Sequence, residues 1–528
     1  MRRSYFLLLF GSFLISCSNE LLDDEVVITE DTVIIQPPPL HTSGSADFSS
    51  YVSIGNSLTA GYSNAALYKS GQESSYPNIL ASQFAIVGGG EFKIPYMQDN
   101  LGGMTLNGTR IFENKLVLDF STGSPAPTIS EGSANTEVSN ILAGPFNNLG
   151  VPGIKSFNVM NPGYGDIAGV SNNRSNPYYV RFASSPTATI INDAVDQNPT
   201  FFSLWIGNND ILGYAIEGGI GKNQTGNIDP KTYAVVDMSD PYLIEGSINA
   251  ILDIITENGA KGVIANLPPA FILPYFNTIP YNALKHDDAS FASKISMLNS
   301  QFERLNQALE QLGHSDRKFN FSTTKDSPVI IKDESLTNIS EELVQLLVLD
   351  GIDVETASIM GTIYGQARPA NEKDLLVLTS QNVIGQPSNK AIEFLLELGA
   401  DNETINELSL SGITWPLEDQ WVLTSEEQKQ VNTALNTTNL AIKDLASKYD
   451  LAFVDAYAFL SDVHENGFQL SNGSLLTTDS DISSIFSLDG IHPTPRGYAI
   501  LANLFIEAIN EKYDSTIPKV EPLDYKGI

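Results

Sequence analysis

The sequence predicts an α/β protein built on a parallel sheet with helices on both faces, and two observations predict it. Short apolar runs alternate with longer stretches at helical spacing, as in strand–helix–strand units. Several of those runs also end in turns of Gly, Asn and Ser, the edge at which open α/β sheets bind ligands. The candidate strands are residues 51–54, 201–205, 262–266 and 451–454, with another ending just before Asn148. Amphipathic stretches at 243–257, 293–312 and 425–448 are the helices between them, and a last helix runs over 495–512. The third begins Thr424-Ser425-Glu426-Glu427, an acidic first turn that suits the helix dipole.

The chain opens with Arg2 and Arg3, a mostly apolar run over 5–15, and Leu14-Ile15-Ser16-Cys17. The run is too short to span a bilayer and has the layout of a secretory signal. Its closing tetrapeptide resembles a bacterial lipobox, which implies lipidation of Cys17, the only cysteine in the chain. The plainer alternative is a signal peptide with an incidental cysteine. Glu20, Asp23, Asp24 and Glu25 resemble the surface-export signal of lipoproteins from Bacteroidetes-type bacteria. The expectation is an exported protein anchored by lipid to the outer membrane, with residues 1–17 as signal peptide and lipobox. Residues 18–47, with Pro37-Pro38-Pro39 and a Thr-Ser-Gly-Ser stretch, read as a flexible tether.

A single domain over 48–515 and a tail over 516–528 account for the rest. Two regions rich in Gly, Ser, Asn and Thr, about 64–145 and 325–420, exceed a minimal five-stranded domain and read as insertions on the loop side of the sheet. Insertions there shape substrate access or simply add surface packing. Lys and Arg number 29 against 62 Asp and Glu, a net charge of −33 that sets nucleic-acid binding aside.

Chemistry concentrates in four segments. In Gly55-Asn56-Ser57-Leu58 a serine sits between a strand and a helix, placed to project its hydroxyl above the sheet or to cap the helix. A serine needs a base, and there are five histidines. His41 lies in the tether, and His286, His314 and His464 have polar, loop-like surroundings. His492 differs, because Asp489 stands three residues upstream, where one turn brings both side chains together. Asp-Gly is also an ordinary turn signal. Asn148-Leu149-Gly150-Val151-Pro152-Gly153 and Gly207-Asn208-Asn209-Asp210 follow apolar runs, so the Gly153 N–H and the Asn209 amide can donate at the sheet edge; either is also readable as an ordinary turn.

Together, Gly-Asn-Ser-Leu, Asn-x-Gly-x-x-Gly, Gly-x-Asn-Asp and Asp-x-x-His-Pro, in this order, resemble the successive blocks of the SGNH (GDSL-type) hydrolase superfamily. The resemblance covers about 48–325 and 420–512. It implies a flavodoxin-like three-layer α/β/α fold and a serine esterase with Ser57 as nucleophile, His492 as base and Asp489 orienting it. It also implies an oxyanion hole from Ser57, Gly153 and Asn209, and no metal or organic cofactor. The usual Asp before the serine is Asn56 here, whose amide can still hold the turn by hydrogen bonds. Expected substrates are lipid, short-chain or acetylated-glycan esters. A surface glycan-binding lipoprotein on the same fold is the alternative from another class.

Overall fold

The computed structural model describes residues 41–121, 125–481 and 483–528. Cys17 and residues 18–40 of the expected tether lie outside the described residues. The strands β1 (Tyr51–Gly55), β2 (Asn148–Gly150), β3 (Phe201–Trp205), β4 (Lys261–Ala265) and β5 (Ala452–Val454) pair in parallel in the order 2-1-3-4-5. This is the flavodoxin-like strand order. In chain order the principal helices are α1 (Ser57–Ala60), α2 (Tyr76–Phe84), α3 (Ile190–Val195), α4 (Asn208–Ile216), α5 (Pro241–Thr256), α6 (Ile295–Gln311), α7 (Ser340–Leu349) and α8 (Val354–Tyr364). They continue with α9 (Ser425–Lys448), α10 (Ala456–Asn466) and α11 (Pro495–Tyr513).

The strands are buried on both faces, so they read as apolar runs rather than alternating ones. Period-two geometry still sorts their side chains. Val52, Ile54, Phe202, Leu204 and Ile264 face α3, α5 and α9, while Tyr51, Phe201, Trp205, Val263 and Val454 face α2 and α11. Helix α9 starts at Ser425, as its acidic turn predicts, and Thr424 and Glu427 form a reciprocal cap. Asn148 departs from expectation: it opens β2 rather than following it. Its amide donates to the Thr59 carbonyl (3.0 Å), so a polar residue can begin a buried strand.

The second insertion has a core of its own. Leu305, Leu309, Ile330, Leu343, Leu347, Ala357 and Leu417 pack together with α6, α7, α8 and a short antiparallel ribbon, Ile330–Lys332 with Ala367–Pro369. Helix α6, expected among the sheet helices, belongs to this second core, so the insertion begins before residue 295. Residues beyond 515 pack on α11: Asn503 donates to the Val520 carbonyl (2.8 Å) and Asn510 to that of Ile517 (2.9 Å). The other end of the compact unit, from His41, joins α11 through Ser45 N–H to Tyr513 O (2.8 Å) and the residues beyond 515 through Thr516 N–H to Thr42 O (2.9 Å).

Candidate active site

Strands β2, β1 and β3 end level, with Gly55 opposite both Gly150 and Trp205. Ser57, Gly153 and Asn209 follow those three ends by two, three and four residues, so three distant stretches of sequence meet at one sheet edge. Ser57 opens α1 and is 8% exposed. Asn56 caps that helix, accepting from Leu58 N–H (3.0 Å), and donates to Asn208 Oδ1 (2.8 Å). The amide at this position thus makes both bonds without a charge. A Cβ on Gly150 would lie 2.3 Å from Ala60 N, so glycine is what lets α1 settle against β2.

The loop before α11 brings the histidine to the serine. His492 Nε2 lies 2.9 Å from Ser57 Oγ, and His492 Nδ1 lies 3.0 Å from Asp489 Oδ2. Asp489 also accepts from Ile491 N–H (2.9 Å), His492 N–H (2.8 Å) and Ala65 N–H (2.7 Å). Burial pushes its pKa up, but the His492 charge and these hydrogen bonds outweigh burial and hold it below the usual carboxylate range. An ionised carboxylate can only accept, so the proton shared with it sits on Nδ1 and leaves Nε2 to accept from Ser57.

The segment Tyr62–Ala65 clasps this loop from the start of the first insertion. Asn64 N–H donates to Ser487 Oγ (2.8 Å), Ser63 Oγ to the Pro493 carbonyl (3.0 Å), and the Tyr62 ring lies 4.6 Å from the imidazole. Asn64 and Ala65 have φ of +53° and +62°, left-handed values that non-glycine residues rarely adopt, at the point where Ala65 N–H reaches the carboxylate. No residue-type pattern in the sequence marks these residues, because Asn64 and Ala65 reach the loop through backbone N–H groups and Tyr62 and Ser63 meet it only once the chain is folded.

Gly153 is exposed with φ +78°, a conformation that glycine adopts without a Cβ penalty. The segment around it is fastened from three sides. Asn176 donates to the Pro152 carbonyl (2.8 Å), Asn209 to the Ile154 carbonyl (2.9 Å), and Asp210 accepts from Ser156 N–H (2.7 Å) and Oγ (3.0 Å). One Asn209 amide proton is committed to Ile154; the other has no acceptor among the described residues. Burial raises the Asp210 pKa, partly offset by Ser156 and Lys155. Asp210 and Asn176 are positioning residues that only the structure reveals.

A cleft of about 880 Å³ opens beside Gly153, lined by Lys155, Tyr233 and, from the first insertion, Phe112, which stacks on Tyr178 at 5.1 Å. None of its lining residues comes from the second insertion. Of the other histidines, His286 pairs with Asp326 (2.8 Å), which also binds Lys285 (2.7 Å), and His464 lies in the last turn of α10 rather than a loop, against Thr478 (2.7 Å).

Residues 378–505 match the model of the GDSL-like lipase/acylhydrolase family. The matched stretch begins inside the second insertion and runs through α9, β5 and the Asp489–His492 loop into α11. No curated protein and no solved structure matches the chain. The match is confined to residues 378–505, and the five-stranded parallel sheet in flavodoxin-like order is consistent with the fold of SGNH/GDSL hydrolases.

Proposed function

We propose that the chain is a carboxylic-ester hydrolase that works through an acyl-enzyme on Ser57. The observation that carries this reading is the unbroken chain of contacts from Ser57 Oγ to His492 Nε2 (2.9 Å) and from His492 Nδ1 to Asp489 Oδ2 (3.0 Å). Nε2 takes the hydroxyl proton as Oγ attacks the ester carbon. The developing oxyanion receives the N–H groups of Ser57 and Gly153 and the free Asn209 amide proton. The imidazolium, stabilised by ionised Asp489, then protonates the departing alcohol. Water repeats the sequence on the acyl-enzyme and restores Ser57.

The test is hydrolysis of p-nitrophenyl acetate, butyrate and palmitate by the wild type and Ser57→Ala, with mass spectrometry of Ser57 after a fluorophosphonate inhibitor. Turnover lost in Ser57→Ala and a covalent adduct on Ser57 are expected, and chain-length preference separates short-chain from lipid esters. Undiminished turnover in Ser57→Ala would overturn the assignment; binding of glycan without turnover of any ester would favour the scaffold alternative. The reading extends to export and lipid anchoring through Cys17, which the mass of the native N-terminus tests.

A further inference from the structure

The cleft beside Gly153 carries a charge pattern opposite to that of the chain. Acids outnumber bases by 62 to 29 overall, yet Lys155, Arg174 and Lys231 all line this cleft against one carboxylate, Asp166. One Asp166 carboxylate oxygen, Oδ1, is engaged in capping the following turn through Ala168 N–H (3.0 Å). None of the three cations has a salt bridge among the described residues, whereas Lys285, Arg304, Arg368 and Lys512 elsewhere do.

Lys155 is the telling member. It is 7% exposed, two residues from Gly153, and the one hydrogen-bond acceptor of its ammonium among the described residues is the Asp237 carbonyl at 2.5 Å. An ammonium has three protons to donate, and a buried one without a paired carboxylate is costly unless something else completes it. The nearby Asp210 and Asp237 carboxylates soften that cost, but both are occupied: Asp210 by Ser156, Asp237 by Lys222 N–H, Gln224 and Ala234 N–H.

We propose that this cleft is an anion-reading subsite: the ester hydrolysed at Ser57 carries a phosphate or carboxylate on the part of the molecule that lies against Lys155, Arg174 and Lys231. The inference rests on the esterase reading and deepens it by naming the charge of the substrate. Phosphate on a glycerol ester and carboxylate on an acidic sugar share this chemistry.

Matched esters differing only in charge test it on the full chain: 1-butyrylglycerol 3-phosphate against 1-butyrylglycerol, and acetylated glucuronate against acetylated glucose. The anionic member of at least one pair is expected to have the higher kcat/KM by about tenfold, as charge-assisted hydrogen bonds supply. The pair that shows the preference identifies phosphate or carboxylate as the group read. Arg174→Gln with Lys231→Gln, both exposed positions, reduces that ratio severalfold, and salt reduces it further. A purely structural role for these residues would not change a ratio between two substrates. Equal or reversed preference in both pairs, or a preference untouched by the double substitution, overturns the proposal. Binding of glycerol 3-phosphate and glucuronate, with glycerol and glucose as controls, is measured in parallel by NMR on Ser57→Ala. Should the esterase reading fail, that arm still decides: neither anion binding more tightly than its neutral control refutes the subsite on its own.

Discussion

Asp489 receives four hydrogen bonds while almost wholly buried, and that accounting sets how the site answers to pH. Its carboxyl is held below the usual range, so it stays ionised on acidification through the range in which an ordinary carboxylate would take up a proton. The proposed mechanism uses a neutral imidazole as base, so activity is expected to fall with pH. The acidic limb of kcat/KM should have the slope of one proton, and a two-proton slope would show that Asp489 titrates in the same window. Asp489→Asn, which favours the wrong imidazole tautomer, should cost on the order of 10⁴-fold in kcat with the fold intact by circular dichroism. At Asn56 the two hydrogen bonds predict a graded outcome. Asn56→Leu forfeits the helix cap and strands Asn208 Oδ1, about 2–4 kcal/mol in all by urea denaturation. Asn56→Asp keeps the cap and needs only the Asn208 amide to turn and donate, so its loss should stay below about 1 kcal/mol; equal damage from both would show that the neutral amide itself is required.

At the scale of elements, the second insertion meets the sheet layers where Asp419, at the insertion's end, lies near Glu334 and the first-turn Glu427 of α9. Burial first, then the two neighbouring carboxylates, push the Asp419 pKa up to about 8, and its Oδ1 has no hydrogen-bond partner among the described residues. Because the folded chain holds this proton more tightly than the unfolded one, the cost is absent below the ordinary Asp value and grows as pH rises towards about 8. Asp419→Asn should therefore raise the urea midpoint at and above pH about 8 and leave it unchanged near pH 4, where the side chain is already neutral. A gain of the same size at both would mean that packing rather than charge is responsible. Helix α6 within this insertion also shows where sequence reading stops. The spacing of α6 reveals a helix with one apolar face, but periodicity does not say which surface that face covers; only the burial of Leu305 and Leu309 in one cluster with Leu343 and Leu347 assigns it to the second core.

For the whole molecule, four of the five strands were legible because a doubly covered parallel sheet demands continuous apolar runs, while β2 was misplaced because it opens on Asn148, a polar residue whose amide donates to the Thr59 carbonyl; the Ser57, Asp489 and His492 grouping was legible because each residue type is tied to one chemical task. Ala65, Asp210 and Asn176 were not, since they serve through folded geometry between segments far apart in sequence. The net charge of −33 is legible from the sequence too, and it acts on the molecule as a whole through self-repulsion that opposes compaction. Against it stand exposed ion pairs such as Lys429–Glu426 (3.0 Å), worth little in water, and the mostly buried Arg368 between Asp333 and Asp374 (2.6 Å each), which salt screens weakly. Raising NaCl from about 0.1 M to about 1 M shortens the screening length from about 10 Å to about 3 Å. That weakens repulsion among dispersed acids far more than it weakens the buried pairs. The thermal midpoint at neutral pH should therefore rise with NaCl by several degrees, and by less near pH 4.3, where the net charge vanishes. A midpoint that instead falls with salt at neutral pH would mean that exposed ion pairs contribute more to this fold than the repulsion among its unpaired acids removes.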